Sequence, residues 1–150
     1  YKSQRLYRDA RIFSIYEGTT QLQVVAAIRY IGNGTMLQNI KDMLAVQSAV
    51  SGLPADLTAR IEKLIPVYEK AIADAKALDN QEAFDFLARR LYDMTCELVM
   101  SLLIIRDAAQ APELFAKSAT VYVRMAEEDI LGKAAYIANF KAADLDSFRA

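Results

Sequence analysis

Glu17 is a lone acid set between the apolar approach Ile12-Phe13-Ser14-Ile15-Tyr16 and the turn Gly18-Thr19-Thr20. A carboxylate so placed has two uses. It can act as a general base if its surroundings raise its proton affinity. It can equally sit as a structural charge near the positive end of the next helix. The residues by themselves leave both open. Other chemistries are excluded by residue type. The chain of 150 residues has no histidine, which removes histidine-dependent triads, histidine metal sites and the Glu-x-x-His pairs of di-iron bundles. Cys96 is the single cysteine, so no intramolecular disulfide forms, and a reducing compartment, read as the cytoplasm, is expected. Its place in an apolar helical run predicts a buried small hydrophobe rather than a reactive thiol.

The wording around Glu17 carries more than its spacing. Arg8-Asp9-Ala10-Arg11-Ile12, followed by Ile15-Tyr16-Glu17-Gly18-Thr19-Thr20-Gln21-Leu22-Gln23, closely resembles the signature near the C-terminus of acyl-CoA dehydrogenases. The resemblance covers residues 1–31 as an ungapped string. It implies an FAD-dependent enzyme that oxidises an acyl-CoA to a trans-2-enoyl-CoA, with an electron-transfer flavoprotein as partner and a homo-oligomeric assembly. Glu17 then matches the base that removes the α-proton, and Gly18 lies against the substrate. Tyr16 lines the acyl pocket, and Thr19, Thr20 and Gln21 match positions that contact FAD. The same resemblance implies that most of the flavin-binding machinery precedes Tyr1. The chain as given is therefore expected to be a fragment, inactive and without FAD.

The elements that must position this loop are all predicted helical. Gly18 frees the backbone at the turn, and Thr19 or Thr20 is a candidate N-cap for the apolar run from Leu22. Gly32-Asn33-Gly34 ends that helix and Thr35 is expected to cap the next, whose apolar positions Met36, Leu37, Ile40, Met43 and Leu44 are joined by a polar exception, Gln47. After the break at Ser51-Gly52-Leu53-Pro54, a face of Leu57, Ile61, Leu64, Ile65, Tyr68, Ile72, Ala75 and Leu78 marks a helix that Pro66 should bend or divide. Glu82 to about Asp107 is apolar on more than one side between Leu98 and Ile105, and is predicted to be the most buried element. The last helix starts at Ala111-Pro112-Glu113, with Leu114, Phe115, Val121, Tyr122, Met125, Leu131 and Tyr136 as its apolar set, and closes between Asn139 and Asp146.

No stretch alternates with period two, so the expected fold is all-α. It is read as an antiparallel bundle of long helices over residues 35–150, preceded at 1–34 by a helix-turn-helix remnant of the dehydrogenase C-terminal domain. On that division Leu6, Ile12, Ile15, Leu22, Val25 and Ile28 face partners outside the strip, and a second copy of the chain is the expected cover. The net charge of −1 gives no reason to expect nucleic acid, and no apolar run is long enough to span a membrane. Charge is uneven, with residues 1–30 at +3 and the rest acidic. Glu127-Glu128-Asp129 reads as a solvated face beside Arg124 and Lys133, and Arg89-Arg90 as surface pairs of Asp85 and Asp93. The five methionines read as core fillers. Gly32-Asn33-Gly34 follows no strand and is no phosphate loop. Residues 35–150 equally suit a non-catalytic helical interaction or oligomerisation module, and a flavin-binding homologue without dehydrogenase activity is a third reading.

Overall fold

The computed structural model describes residues 2–14, 20–48 and 50–148. Six α-helices run in chain order: α1 (Lys2–Ala10), α2 (Thr20–Gly32), α3 (Thr35–Gln47), α4 (Ala55–Ala77), α5 (Gln81–Gln110) and α6 (Pro112–Asn139). A 3₁₀ turn follows α1 at Arg11–Ser14 and another closes the described chain at Ala142–Phe148. The described residues contain no strand, so the fold is all-α as the sequence predicts.

Short connections set the directions of the helices. Only Ala111 separates α5 from α6; its N–H donates to Asp107 O (2.9 Å), and Pro112 opens α6 where a missing N–H costs least. The two helices consequently run antiparallel, with Phe86 beside Phe140 at one end and Glu97 bonded to Lys133 further along. Between α4 and α5, Asp79 takes a positive φ of 46° and Asn80 caps α5 by accepting the Ala83 N–H (3.0 Å). Helices α4, α5 and α6 pack on one another, and α2 and α3 lie against α5.

Helix α5 carries the longest buried stripe, from Ala83 through Leu91, Met94, Leu98 and Leu102 to Ala108, as expected for the central element. The predicted face of α4 is buried apart from Leu78. Pro66 does not divide that helix, which continues unbroken from Ala55 to Ala77. Burial of Leu64, Ile65 and Tyr68 on either side outweighs the roughly 3 kcal/mol cost of an internal proline. Inside the core the Tyr68 hydroxyl and Thr95 Oγ1 are hydrogen-bonded (2.6 Å), and Thr95 donates on to Leu91 O (2.8 Å). The polar exception Gln47 is buried, because its amide donates to Leu102 O and so satisfies both groups at the α3–α5 contact.

Several expectations are corrected. Thr35 is the first helical residue of α3, not its cap, while of the two candidate caps of α2 Thr19 lies outside the described residues and Thr20 is helical. At α3 the cap position is Gly34, at φ 86°, and the Thr35 N–H is taken by the side chain of Asn33 (3.0 Å). Helix α6 buries Ala119, Val123, Ala126, Ile130 and Ile137, while Leu114, Phe115, Val121, Met125, Leu131 and Tyr136 are exposed. Apolar residues circle this helix, and the face with alanines wins because small side chains let α6 approach α4 and α5 closely. Cys96 is exposed, since it turns away from the stripe of Met94, Thr95 and Leu98. Two methionines, Met100 and Met125, face outward. Glu127 is not merely solvated but pairs with Arg60 of α4. Arg89 pairs with Asp93 (2.8 Å), whereas Arg90 stacks between the Phe86 and Tyr136 rings.

Candidate functional site

Of the residues singled out for chemistry, Tyr16, Glu17, Gly18 and Thr19 lie outside the described residues, as does Ile15. Thr20 and Gln21 are described, and both are exposed at the start of α2. The first backbone N–H groups of a helix have no partner within it, and α2 has no acidic residue in its first turn to compensate its positive end. The opening of α2 is therefore suited to an anionic group.

Helix α2 is tied to the bundle by Val24, Ile28 and Ile31, all buried, which pack chiefly on α5. The Lys76 ammonium of α4 reaches Gly32 O at the other end of α2 (3.2 Å). A Cβ at Gly32 would meet the Phe84 ring at 3.3 Å, so glycine there permits the close approach of α2 to α5. Ile28 thus faces this chain's own core, contrary to the expectation that it needs an outside partner, because the α2 stripe 24-28-31 matches the α5 surface. Leu6, Ile12, Leu22 and Val25 remain exposed, and α1 buries nothing.

A second cluster escaped the sequence reading. Glu97 of α5 and Asp129 and Lys133 of α6 meet at the seam between the two helices: Lys133 Nζ donates to Glu97 Oε1 (3.1 Å) and to Asp129 Oδ2 (2.6 Å). The Glu97 and Lys133 side chains are 17% and 19% exposed, enough burial to matter electrostatically. Burial, reinforced by the neighbouring Asp129 carboxylate and only partly offset by Lys133, pushes the Glu97 carboxyl up to about 7. Asp129 is held below the usual carboxylate range by Glu97 and Lys133. Burial pulls the Lys133 ammonium down, but its two carboxylate partners outweigh that and leave it raised. Glu97 and Asp129 border a cavity of about 460 Å³ with Tyr122 and Met125. Its one signal in the sequence is a charged residue, Glu97, wedged between the core positions Met94 and Leu98. Among the described residues, no group of three or more His, Cys, Asp or Glu is placed to hold a metal ion. No described helix is long and apolar enough to cross a membrane.

The family model described as acyl-CoA dehydrogenase C terminal matches residues 32–145. The chain belongs to this family. The crystal structure of an acyl-CoA dehydrogenase family protein from Porphyromonas gingivalis is similar, at 28% identity and a TM-score of 0.68, over 77% of this chain and 98% of that one. No curated protein matches the chain significantly. The matched residues of the acyl-CoA dehydrogenase C-terminal domain start at the end of α2 and take in α3 to α6, the part built around α5.

Proposed function

We propose that this chain is the C-terminal part of an FAD-dependent acyl-CoA dehydrogenase of fatty acid metabolism, with Glu17 as the base that takes the α-proton. The observation that carries the reading is the string from Arg8 to Gln23, with its lone acid, joined to a helical bundle of the acyl-CoA dehydrogenase C-terminal family. The α-hydrogen of a thioester is a weak carbon acid. Its removal needs a fixed base and donors for the charge that develops on the thioester oxygen. Glu17 would supply the base, and the resemblance gives its own backbone N–H the role of a donor to that oxygen. Gly18 leaves room for the substrate where a side chain would obstruct it, and Tyr16 lines the acyl pocket.

Thr19, Thr20 and Gln21 are the residues that would hold FAD. The uncompensated first turn of α2 and the outward side chains of Thr20 and Gln21 fit the anionic part of that cofactor. When bound, the flavin supplies the hydride acceptor for the β-carbon. An electron-transfer flavoprotein is the proposed acceptor of the electrons, and the intact enzyme is proposed to be a homo-oligomer. The bundle from residue 35 onward serves as a non-catalytic module of that enzyme, with residues 1–34 belonging to the dehydrogenase domain. This division fits the start of the family match at residue 32.

The test is anaerobic addition of acyl-CoA to the intact flavoprotein. Bleaching of the flavin and formation of 2-enoyl-CoA are expected; an unchanged spectrum across a range of acyl-CoAs would refute the reading. The chain of 150 residues alone is expected to melt cooperatively as a helical protein, because its core is complete without the loop. Titrated with FAD, it should show no tight binding, since the loop supplies only one wall of the site. Yellow colour surviving gel filtration would contradict that.

A further inference from the structure

The α5–α6 seam contains an imbalance that packing alone leaves unresolved. Two carboxylates, Glu97 and Asp129, share one ammonium, Lys133. Lys133 bonds Glu97 through Oε1, while Glu97 Oε2 is buried without a hydrogen-bond partner among the described residues. The group nearest in chemistry to fill that gap is the Asp129 carboxylate, which has no proton to donate when ionised. A buried acceptor without a donor is costly, and a buried uncompensated charge more so.

We propose that Glu97, Asp129 and Lys133 form a proton-operated latch across the α5–α6 seam, in which a proton held on Glu97 turns its unpartnered Oε2 into a donor toward the Asp129 carboxylate. With the proton in place, the cluster holds one negative charge against one positive charge, and each helix contributes to the clasp. Without it, two negative charges face a single ammonium in a partly buried site, and the seam between the two longest helices is weakened. The groups around Glu97 do not offer another remedy. From α6 come Lys133, Asp129, the Tyr122 phenol and the exposed Glu128. From α5 come Cys96, Asp93 and two cations: the Arg89 guanidinium is bonded to Asp93 (2.8 Å), and Arg90, which borders one cavity with Asp129 and Lys133, lies over the Phe86 and Tyr136 rings. On α4, Arg60 is paired with Glu127 of α6.

The direction of the pH effect follows from the raised affinity of Glu97. The folded protein holds a proton that the unfolded chain has already released between about pH 4.5 and 7, so stability falls as pH rises through that window and levels off above it. Asp129, held low, is ionised in both states there and adds no slope of its own.

The experiment follows the Glu side-chain carboxyl carbons by NMR across pH 4–9, alongside urea unfolding of the wild type and Glu97→Gln. One glutamate, assigned by its loss in Glu97→Gln, should titrate near neutrality, and Lys133→Met should move it higher still. The amide of Glu97→Gln donates permanently, so its urea midpoint should no longer fall with pH as the wild type's does. A Glu97 midpoint in the ordinary carboxylate range, or parallel stability profiles for the two proteins, would overturn the latch. Should a variant fail to fold, the Glu97 carboxyl carbon is assigned in the wild type through its own backbone resonances, and that titration alone decides the matter.

Discussion

Glu17→Gln in the intact flavoenzyme is expected to leave FAD bound and to lower turnover by at least about 100-fold, the usual scale for removing a general base. The amide keeps the size of the side chain and the backbone N–H, so substrate and cofactor should still seat. What it loses is proton acceptance at the one atom pair the reaction needs. No histidine exists in this chain to stand in, and the described acids near α2 are not available: Asp9 lies beside Arg5 on the preceding helix, and α2 itself has no acid in its first turn. Steady-state turnover and a flavin absorbance spectrum of the same sample make the test. Near wild-type turnover would place the base elsewhere.

Leu98→Ala is expected to cost about 2–5 kcal/mol of stability, through lost burial and the cavity left behind. Leu98 is 0% exposed at the middle of α5, the helix that touches α2, α3, α4 and α6. A cavity there cannot be closed by moving one neighbour without disturbing the others. For a domain of this size the loss corresponds to a fall in Tm of roughly 4–20 °C. Met100, two residues on, is 49% exposed, and its replacement by alanine should change stability by less than about 0.5 kcal/mol. Calorimetry on the pair separates a specific core position from a general effect of shortening side chains on α5.

The contrast between those two residues shows what was legible in the sequence. On α4 and α5 the apolar positions fall on one stripe broad enough to be read by period, and the burial follows it. On α6 the large apolar residues and the alanines occupy different stripes, and hydrophobicity alone favours the wrong one. The close approach of three helices decides in favour of Ala119 and Ala126. Cys96 was misjudged for a related reason, because the composition of a run says nothing about which side of the helix a residue takes. The cap of α3 was misassigned: Thr35 has the right chemistry, but Asn33 has the reach. The Glu97–Lys133 contact joins residues 36 apart in sequence, and no local pattern encodes it. The loop at Glu17 is the opposite case. Its reading rests wholly on the wording of the sequence, while the bundle around α5 supports the family to which that wording points.

The central claim, that Glu17 removes the α-proton, is tested most directly by isotope exchange. Acyl-CoA is incubated in heavy water with the intact flavoenzyme, wild type and Glu17→Gln, and deuterium at the α-carbon is read by mass spectrometry. The account predicts exchange with the wild type and almost none with Glu17→Gln, although both proteins hold flavin and bind the thioester. Exchange at equal rates in the two proteins would contradict it.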